Sequence, residues 1–301
     1  MGINLILSRG TTVDFTSLPP NSIALDGYVQ GPAIDLRQNK FSFDHHAGCI
    51  RHVTSATCKQ VLDALLLGFE PNGMKVYIND VDGDTALAVW LLLHPNKAQD
   101  LNVRELVETV AAMDALGPAY PALNPQLGKM FHKGAMLAER EARKNKSYAT
   151  CDLEELLHTC LNGIDRLLSG ERFPLPPESE QRYTITHYGN GFVMVRTDEN
   201  VFDLLYREGI TCGVMYQKQP DGSVAYTIAK KSEFVPHFPV GPHTEEGTIL
   251  HALSEQEPGW GGGTTVGGAP RNMDGSRSRL SPDDVFTIIN DLIARFKKDF
   301  S

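Results

Sequence analysis

Residues 75–93 read KVYINDVDGDTALAVWLLL, which is a short apolar run, an acid-rich turn and a longer apolar stretch. This order predicts a strand, a loop and a buried helix, and strands alternating with helices are typical of α/β proteins. Two earlier stretches, residues 22–29 (SIALDGYV) and 40–46 (KFSFDHH), predict strands that run into polar loops. We therefore expect an α/β domain built on a parallel sheet with helices on both faces.

Helical patterns fill the rest of the N-terminal half. In residues 54–68 (TSATCKQVLDALLLG), apolar side chains recur on one helical face, Thr54 or Ser55 would cap the start, and Gly68 would end the helix. Further helices are predicted at residues 85–93, 103–116, 126–146 and 153–169.

The pattern breaks at residues 172–182, where prolines and acids replace apolar periodicity. We interpret this segment as a linker between a first domain at residues 1–171 and a second at 183–301. Beyond it the sequence predicts strands at 182–188, 191–197, 212–218 and 223–231, a hairpin turn at 220–222, and helices at 201–209 and 283–298. The second domain is expected to be a smaller α+β domain.

Composition limits the functions that this chain can have. At ~150 residues per domain, 301 residues suggest two domains. With 28 basic and 37 acidic residues the net charge is −9, which disfavours long nucleic acids and anionic membranes as partners. The longest apolar run, residues 85–93, is too short to span a membrane. Five cysteines without a CxxC pair indicate reduced thiols, so we expect a cytoplasmic protein.

Three clusters of acidic and histidine residues follow predicted strands: Asp26, then Asp44, His45 and His46, then Asp80, Asp82 and Asp84. In open α/β sheets, ligands bind beyond the carboxyl ends of the strands, so the three loops are expected to converge on one crevice. Aspartate with neutral imidazole suits Mn²⁺ or a similar divalent ion. Several aspartates bridging two such ions would form a site for phosphoryl transfer.

Each cluster also has a purely structural interpretation. Asp26 could form a turn after its strand, and residues 80–84 (DVDGD) could be a loop that provides the N-cap of the next helix, which Asp84 precedes directly. The two histidines could be ordinary polar loop residues. Asp114 ends a predicted helix, where a carboxylate opposes the helix dipole, and this unfavourable placement makes it a further functional candidate.

A glycine-rich segment at residues 259–275 is the main candidate for substrate binding in the second domain. The backbone amides of Gly263, Gly267 and Gly268 could approach a phosphate, and Arg271 could bind the phosphate through two hydrogen bonds. The alternative is a flexible loop, because glycine is common in any irregular turn.

The motifs resemble those of the DHH phosphoesterase superfamily. FDHH before a Thr-Ser-Ala-Thr helix start resembles the signature stretch, IALDG resembles the motif of a strand ending in Asp, and NDVDGDTALAVWLL resembles the DxDG motif. In the second domain, SVAYTIAKKS and WGGGTTVGGAPR are similar to the family's glycine-rich accessory domain. The resemblance covers most of the chain.

The resemblance implies a role for each matching residue. Asp26, Asp80 and Asp82 would be metal ligands, with Asp26 as a bridge, and His45 would be another. His46 would face the phosphate or support a ligand, and Asp44 would orient the histidines, which makes these two the catalytic candidates. Asp84 and Asp114 would be weaker ligand candidates. Substrate binding would fall to Gly262, Gly263, Thr264, Gly267, Gly268 and Arg271.

Two features depart from the family pattern. The DxDG motif normally precedes DHH, whereas here Asp80 and Asp82 follow Asp44. The chain is then either a permuted form, or this loop serves as the family's last aspartate motif. In addition, no histidine stands shortly before Asp80, and the usual GGGH ends in Thr264.

The sequence therefore predicts a metal-dependent phosphoesterase with two Mn²⁺ or Mg²⁺ ions per chain, acting on a small phosphodiester such as a short oligonucleotide or dinucleotide. A phosphoanhydride such as pyrophosphate or polyphosphate is the alternative substrate. The alternative to an enzyme is a non-catalytic protein that senses a nucleotide. A small phosphorylated ligand is the expected partner, and a homodimer is left open.

Overall fold

A computed structural model describes residues 2–46, 48–50, 52–117, 120–121, 123–174, 183–272 and 274–299. The chain divides into two compact units, Met1–Pro177 and Glu178–Ser301. Of the linker predicted at 172–182, residues 175–182 lie outside the described part.

The first unit is built on a five-stranded sheet in the order β1-β5-β2-β4-β3. All neighbours are parallel except β3, which runs antiparallel to β4 at one edge. The strands are β1 (Asn4–Leu7), β2 (Ser22–Leu25), β3 (Ala33–Asp35), β4 (Lys40–Phe43) and β5 (Lys75–Ile78). The predictions of β2, β4 and β5 and of a mostly parallel sheet are confirmed.

The helices of this unit follow or connect the strands. They are α1 (Thr57–Leu66), α2 (Gly83–Leu93), α3 (Leu101–Leu116), α4 (Pro125–Met130), α5 (Leu137–Lys144) and α6 (Leu153–Leu168), with a π-helical turn at Phe131–Ala135 and 3-10 turns at Phe15–Ser17 and Pro95–Lys97. Helix α2 is buried on all sides, which explains its unbroken apolar sequence.

The expectation of helices on both faces is wrong for the described residues. Successive strand residues point to opposite faces of a sheet. Ile23 and Leu25 pack into the cluster that contains the buried residues of α1, α2, α3 and α6. Ala24, on the opposite face of β2, packs with Leu18, Tyr28 and Val29 from the neighbouring loops. Loop side chains therefore cover that face.

The start of α1 also differs from the prediction, because its N-cap is Ala56 and neither Thr54 nor Ser55 caps it. The Asp84 carboxylate instead accepts hydrogen bonds from the amides of Thr57 (2.7 Å) and Cys58 (2.8 Å). A carboxylate at this place accepts hydrogen bonds from amides that have no partner within the helix, and it interacts favourably with the positive end of the helix dipole. The N-cap of α2 is Asp82, which accepts from the Thr85 amide.

The second unit has a six-stranded sheet in the order β10-β11-β9-β8-β7-β6, in which β7 and β8 are parallel and the other neighbours antiparallel. The strands are β6 (Thr184–Tyr188), β7 (Val193–Arg196), β8 (Cys212–Lys218), β9 (Val224–Lys230), β10 (Gly261–Gly262) and β11 (Val266–Gly268). The helices are α7 (Phe202–Arg207), α8 (Ile249–Ser254) and α9 (Pro282–Asp299). The mixed composition confirms an α+β unit.

Two further observations concern the predicted cellular setting. All five cysteines, each in a described segment, are free thiols. Among the residues that the structure describes, no helix has the length and apolar character needed to cross a membrane.

Candidate metal centre

The three acidic loops meet at one edge of the first sheet. β2 and β4 are parallel neighbours, and the Asp26 amide continues their pairing by donating to the Phe43 carbonyl at 2.9 Å. Asp26 and the Asp44 to His46 segment thus leave the sheet side by side. β5 pairs with β2 on its other side, and the chain enters α2 shortly after β5 ends. The carboxyl ends of parallel strands share one edge, which brings these loops together.

Two groups of side chains there have the spacing of a metal site. In the first, His45 Nε2 and His46 Nδ1 lie 3.7 and 3.4 Å from Asp26 Oδ1. In the second, His45 Nε2 lies 2.9 Å from Asp114 Oδ2 and 3.5 Å from Asp84 Oδ2. Within each group the ligand atoms lie within 4.8 Å of one another. His45 belongs to both groups and is therefore the centre of the arrangement.

The hydrogen bonding of His45 fits a metal ligand. The side chain is fully buried, and neither ring nitrogen has a hydrogen-bond partner; the close approach of Asp114 does not have hydrogen-bond geometry. Buried polar atoms are nearly always paired, because leaving one unpaired costs about 1–3 kcal/mol. A divalent cation bound to the neutral imidazole would satisfy Nε2, and imidazole with carboxylates suits Mn²⁺ and similar ions.

Asp26 is held rigidly in the centre of the site. Its backbone has φ 50°, in the left-handed region that residues other than glycine seldom adopt. Its carboxylate accepts hydrogen bonds from Thr57 Oγ1 at 3.0 Å and Thr85 Oγ1 at 2.8 Å. Burial raises the pKa of this carboxyl, and the neighbouring His46 opposes that effect. The backbone and both hydroxyls thus fix the direction of its oxygens.

Negative charge accumulates around Asp26. Burial, with repulsion from Asp26 and Asp114, raises the pKa of Asp84 to about 7. Burial, then repulsion from Asp26 and Asp84, raises the pKa of Asp82 well above its usual value. A bound cation would offset the repulsion among these carboxylates. When ionised, the cluster therefore has the concentrated negative charge that a cation site requires.

Asp44 lies behind His46. The buried Asp44 carboxylate accepts from the Gly31 amide at 2.7 Å and pairs with His46 Nδ1 at 2.8 Å. Burial acts to raise the pKa of Asp44, but these bonds outweigh it and the pKa is lowered. We predicted that Asp44 orients both histidines; its hydrogen bond reaches His46, whereas His45 has none.

Asp80 and Asp82 lie outside both donor groups. Asp80 accepts two hydrogen bonds from Arg143 Nη2, at 3.0 and 3.2 Å, and one from the Tyr148 hydroxyl. The guanidinium offsets the charge of this carboxylate, and metal binding by Asp80 stays a prediction. Asp82 caps α2 and adds charge beside Asp26 and Asp84.

Within the glycine-rich segment, residues 261–268 form a hairpin of β10 and β11 at the edge of the second sheet, so strand pairing orders this part of it. A Cβ atom at Gly262 would lie 2.4 Å from Gly267 Cα, and one at Gly267 would lie 2.5 Å from Leu250 Cδ1. Close packing therefore explains these two glycines. At Gly268 a Cβ would lie 3.1 Å from the Tyr226 carbonyl, whereas Gly263 faces open space.

Two polar residues of the predicted substrate site accompany this hairpin. The Thr264 hydroxyl donates to Glu233, and Arg271 is exposed beyond β11. Phosphate binding by Arg271 stays a prediction.

The sequence analysis missed three residues around the site. Thr57 and Thr85 support Asp26, and their only signal is their place at the starts of helices. His132 belongs to the π-helical turn and packs against Gly83, where a Cβ would lie 3.3 Å from His132 Cε1. Burial and the charge of Arg140 lower the pKa of His132, while Asp114 opposes them. π-Helical turns are frequent at functional sites, but no sequence pattern here indicates one.

No family model matches this sequence, and no curated protein matches it either.

Proposed function

We propose that this protein is a divalent-metal-dependent phosphoesterase of the DHH type, with its metal centre at the edge of the first sheet where β2 and β4 end. The observation that carries the proposal is the fully buried His45, whose ring nitrogens have no hydrogen-bond partner and whose Nε2 lies within 4 Å of the Asp26, Asp84 and Asp114 carboxylates. Asp26, His45, Asp84 and Asp114 would hold Mn²⁺ or Mg²⁺, with about two ions per chain, and His46 would lie beside them without being a ligand.

Bound divalent ions of this kind acidify water and offset the charge of a phosphate. The chain itself positions the groups around them. Thr57 and Thr85 fix the Asp26 carboxylate, so its two oxygens stay aimed into the site. Asp84 is held by two amides of α1 and keeps its orientation whether or not a ligand is present.

His46 is the chain's candidate for proton transfer. The lowered pKa of Asp44 makes it an ionised acceptor, so His46 Nδ1 is the atom that carries the proton toward it. The basic lone pair of the imidazole then lies on Nε2. A histidine held this way can accept a proton at Nε2 and, once protonated, donate a hydrogen bond from Nε2 to a phosphate oxygen, in the manner of general acid–base catalysts.

The proposal is tested by turnover on a panel of phosphoesters and phosphoanhydrides with Mn²⁺. We expect hydrolysis that a chelator abolishes, that His45→Ala removes, and that a control variant, His158→Ala on the exposed face of α6, retains. Hydrolysis of anhydrides alone would favour the alternative substrate class. Nucleotide binding without any turnover would favour the sensor, and turnover that survives in His45→Ala would contradict the proposal.

A further inference from the structure

A cavity of about 220 Å³ lies between the segment that precedes α1 and the C-terminal half of α3. None of the site residues described above lines it. Its walls combine apolar and polar groups: the small side chains of Val53, Thr54, Ala56, Ala111, Ala112 and Ala115 lie beside larger ones such as Tyr120. Lys59 and Glu108 form a polar side, with Nζ and Oε1 3.5 Å apart.

Two walls of the cavity contain residues that are sequence neighbours of residues at the candidate metal centre. Ala56 directly precedes Thr57, whose amide binds Asp84 and whose hydroxyl binds Asp26. On the other wall, Asp114 is next to Ala115 and within one helical turn of Ala111. A phosphate held at the donor groups would therefore have this cavity beside it.

The size of the cavity limits what can fill it. An apolar cavity of about 150 Å³ holds a benzene molecule, whereas sites for whole drug-sized ligands measure about 300–1,000 Å³. The cavity is open to solvent on one side and has room for one ring-sized group, so the rest of a larger ligand would lie outside it. The apolar part of its walls favours a ring, and a pyrophosphate or polyphosphate chain has no such group to place there.

We propose, on the basis of the phosphoesterase function proposed above, that this cavity receives a ring-sized organic group esterified to the substrate phosphate. The substrate is then an organic phosphoester, and the cavity selects it over pyrophosphate and polyphosphate. The polar side formed by Lys59 and Glu108 sets the orientation of the bound group.

The test is calorimetric binding of phenylphosphonate and inorganic phosphate to the Mn²⁺-loaded protein. Phenylphosphonate keeps the ring and the anionic group, and its carbon–phosphorus bond is not cleaved by phosphoester hydrolysis. Burial of the phenyl ring predicts that phenylphosphonate binds at least about tenfold more tightly than phosphate. In Ala112→Leu, whose longer side chain would fill the cavity, this advantage is expected to disappear while the affinity for phosphate stays within about twofold. Asn102→Leu adds a similar side chain at an exposed position of α3 and should keep the advantage.

Equal affinities of the wild-type protein for the two ligands, or no binding of phenylphosphonate, would overturn the assignment, and neither result depends on a variant. A preference for phenylphosphonate that persists in folded Ala112→Leu would overturn it as well. These outcomes differ from a failure of the proposed function. If the wild-type protein shows the tenfold preference and Ala112→Leu loses it, but no ester is hydrolysed, the cavity assignment stands and the phosphoesterase proposal fails.

Discussion

His45 Nε2 lies 2.9 Å from Asp114 Oδ2. This close approach brings the loop after β4 together with the last turn of α3. A carboxylate so close to a helix C-terminus is unfavourable, because the exposed carbonyl groups there carry partial negative charge. A cation shared with His45 would stabilise this carboxylate. The proposed metal centre would therefore account for the otherwise unfavourable position of Asp114.

Replacing Asp114 with asparagine should weaken Mn²⁺ binding by at least about tenfold, because one negative charge leaves the donor group. The metal-free variant should be at least as stable as the metal-free wild type, since repulsion with Asp84 is relieved. Calorimetric titration and thermal unfolding measure the two effects. Unchanged Mn²⁺ affinity would remove Asp114 from the site.

The metal-free protein should lose stability relative to Asp84→Asn as pH rises. The pKa of Asp84 is raised to about 7 in the folded state, above its value of 3.8 in the unfolded chain. The folded state therefore binds more protons between about pH 4 and 7, and linkage requires the contribution of Asp84 to stability to fall across that range. Urea unfolding of both proteins at pH 5 and pH 8 tests this. A stability difference that does not change with pH would contradict the assignment.

Thr85→Val should destabilise the protein by roughly 1.5–3 kcal/mol, because it removes a hydrogen bond to the buried Asp26 carboxylate with little change of shape. Thr159→Val is the matched control, since this exposed hydroxyl bonds only to the Glu155 carbonyl of its own helix. Its unfolding free energy should change by less than about 0.5 kcal/mol. Equal effects at the two positions would mean that Thr85 does not support Asp26.

In the glycine-rich hairpin, two substitutions can distinguish a glycine needed for packing from a glycine needed for substrate binding. Gly262→Ala should destabilise the second unit by about 1–3 kcal/mol, because its Cβ would collide with the backbone of Gly267. Gly263→Ala has open space around it and should cost much less. If Gly263→Ala preserves the fold but weakens phosphate binding, the predicted substrate role of this segment gains support. Equal losses of stability would contradict the packing argument.

Much of the site could be predicted from local sequence. Strands β2, β4 and β5 each end in polar residues, and the shared edge of a parallel sheet makes their convergence predictable. Asp26 and His45 come together for this reason. Asp114 was predicted from its unfavourable place in a helix, which is also a local signal.

The remaining features depend on contacts between distant parts of the chain. The sequence pattern makes Asp80 and Asp82 equivalent. In the structure, Arg143 and Tyr148 donate hydrogen bonds to the Asp80 carboxylate, and no local pattern predicts that pairing. The covering of one sheet face by Leu18, Tyr28 and Val29 is equally a result of tertiary packing. The predicted helix at 126–146 is divided by the π-helical turn, whose sequence, FHKGA, has no distinguishing pattern.

The central claim is that His45 is the core of a metal centre, and the most direct measurement is the Mn²⁺ content of the purified protein after metal loading and desalting. The account predicts about two ions per wild-type chain and per His158→Ala chain, with at least one lost in a folded His45→Ala. No Mn²⁺ bound to the wild-type protein, or equal Mn²⁺ content in His45→Ala, would contradict it.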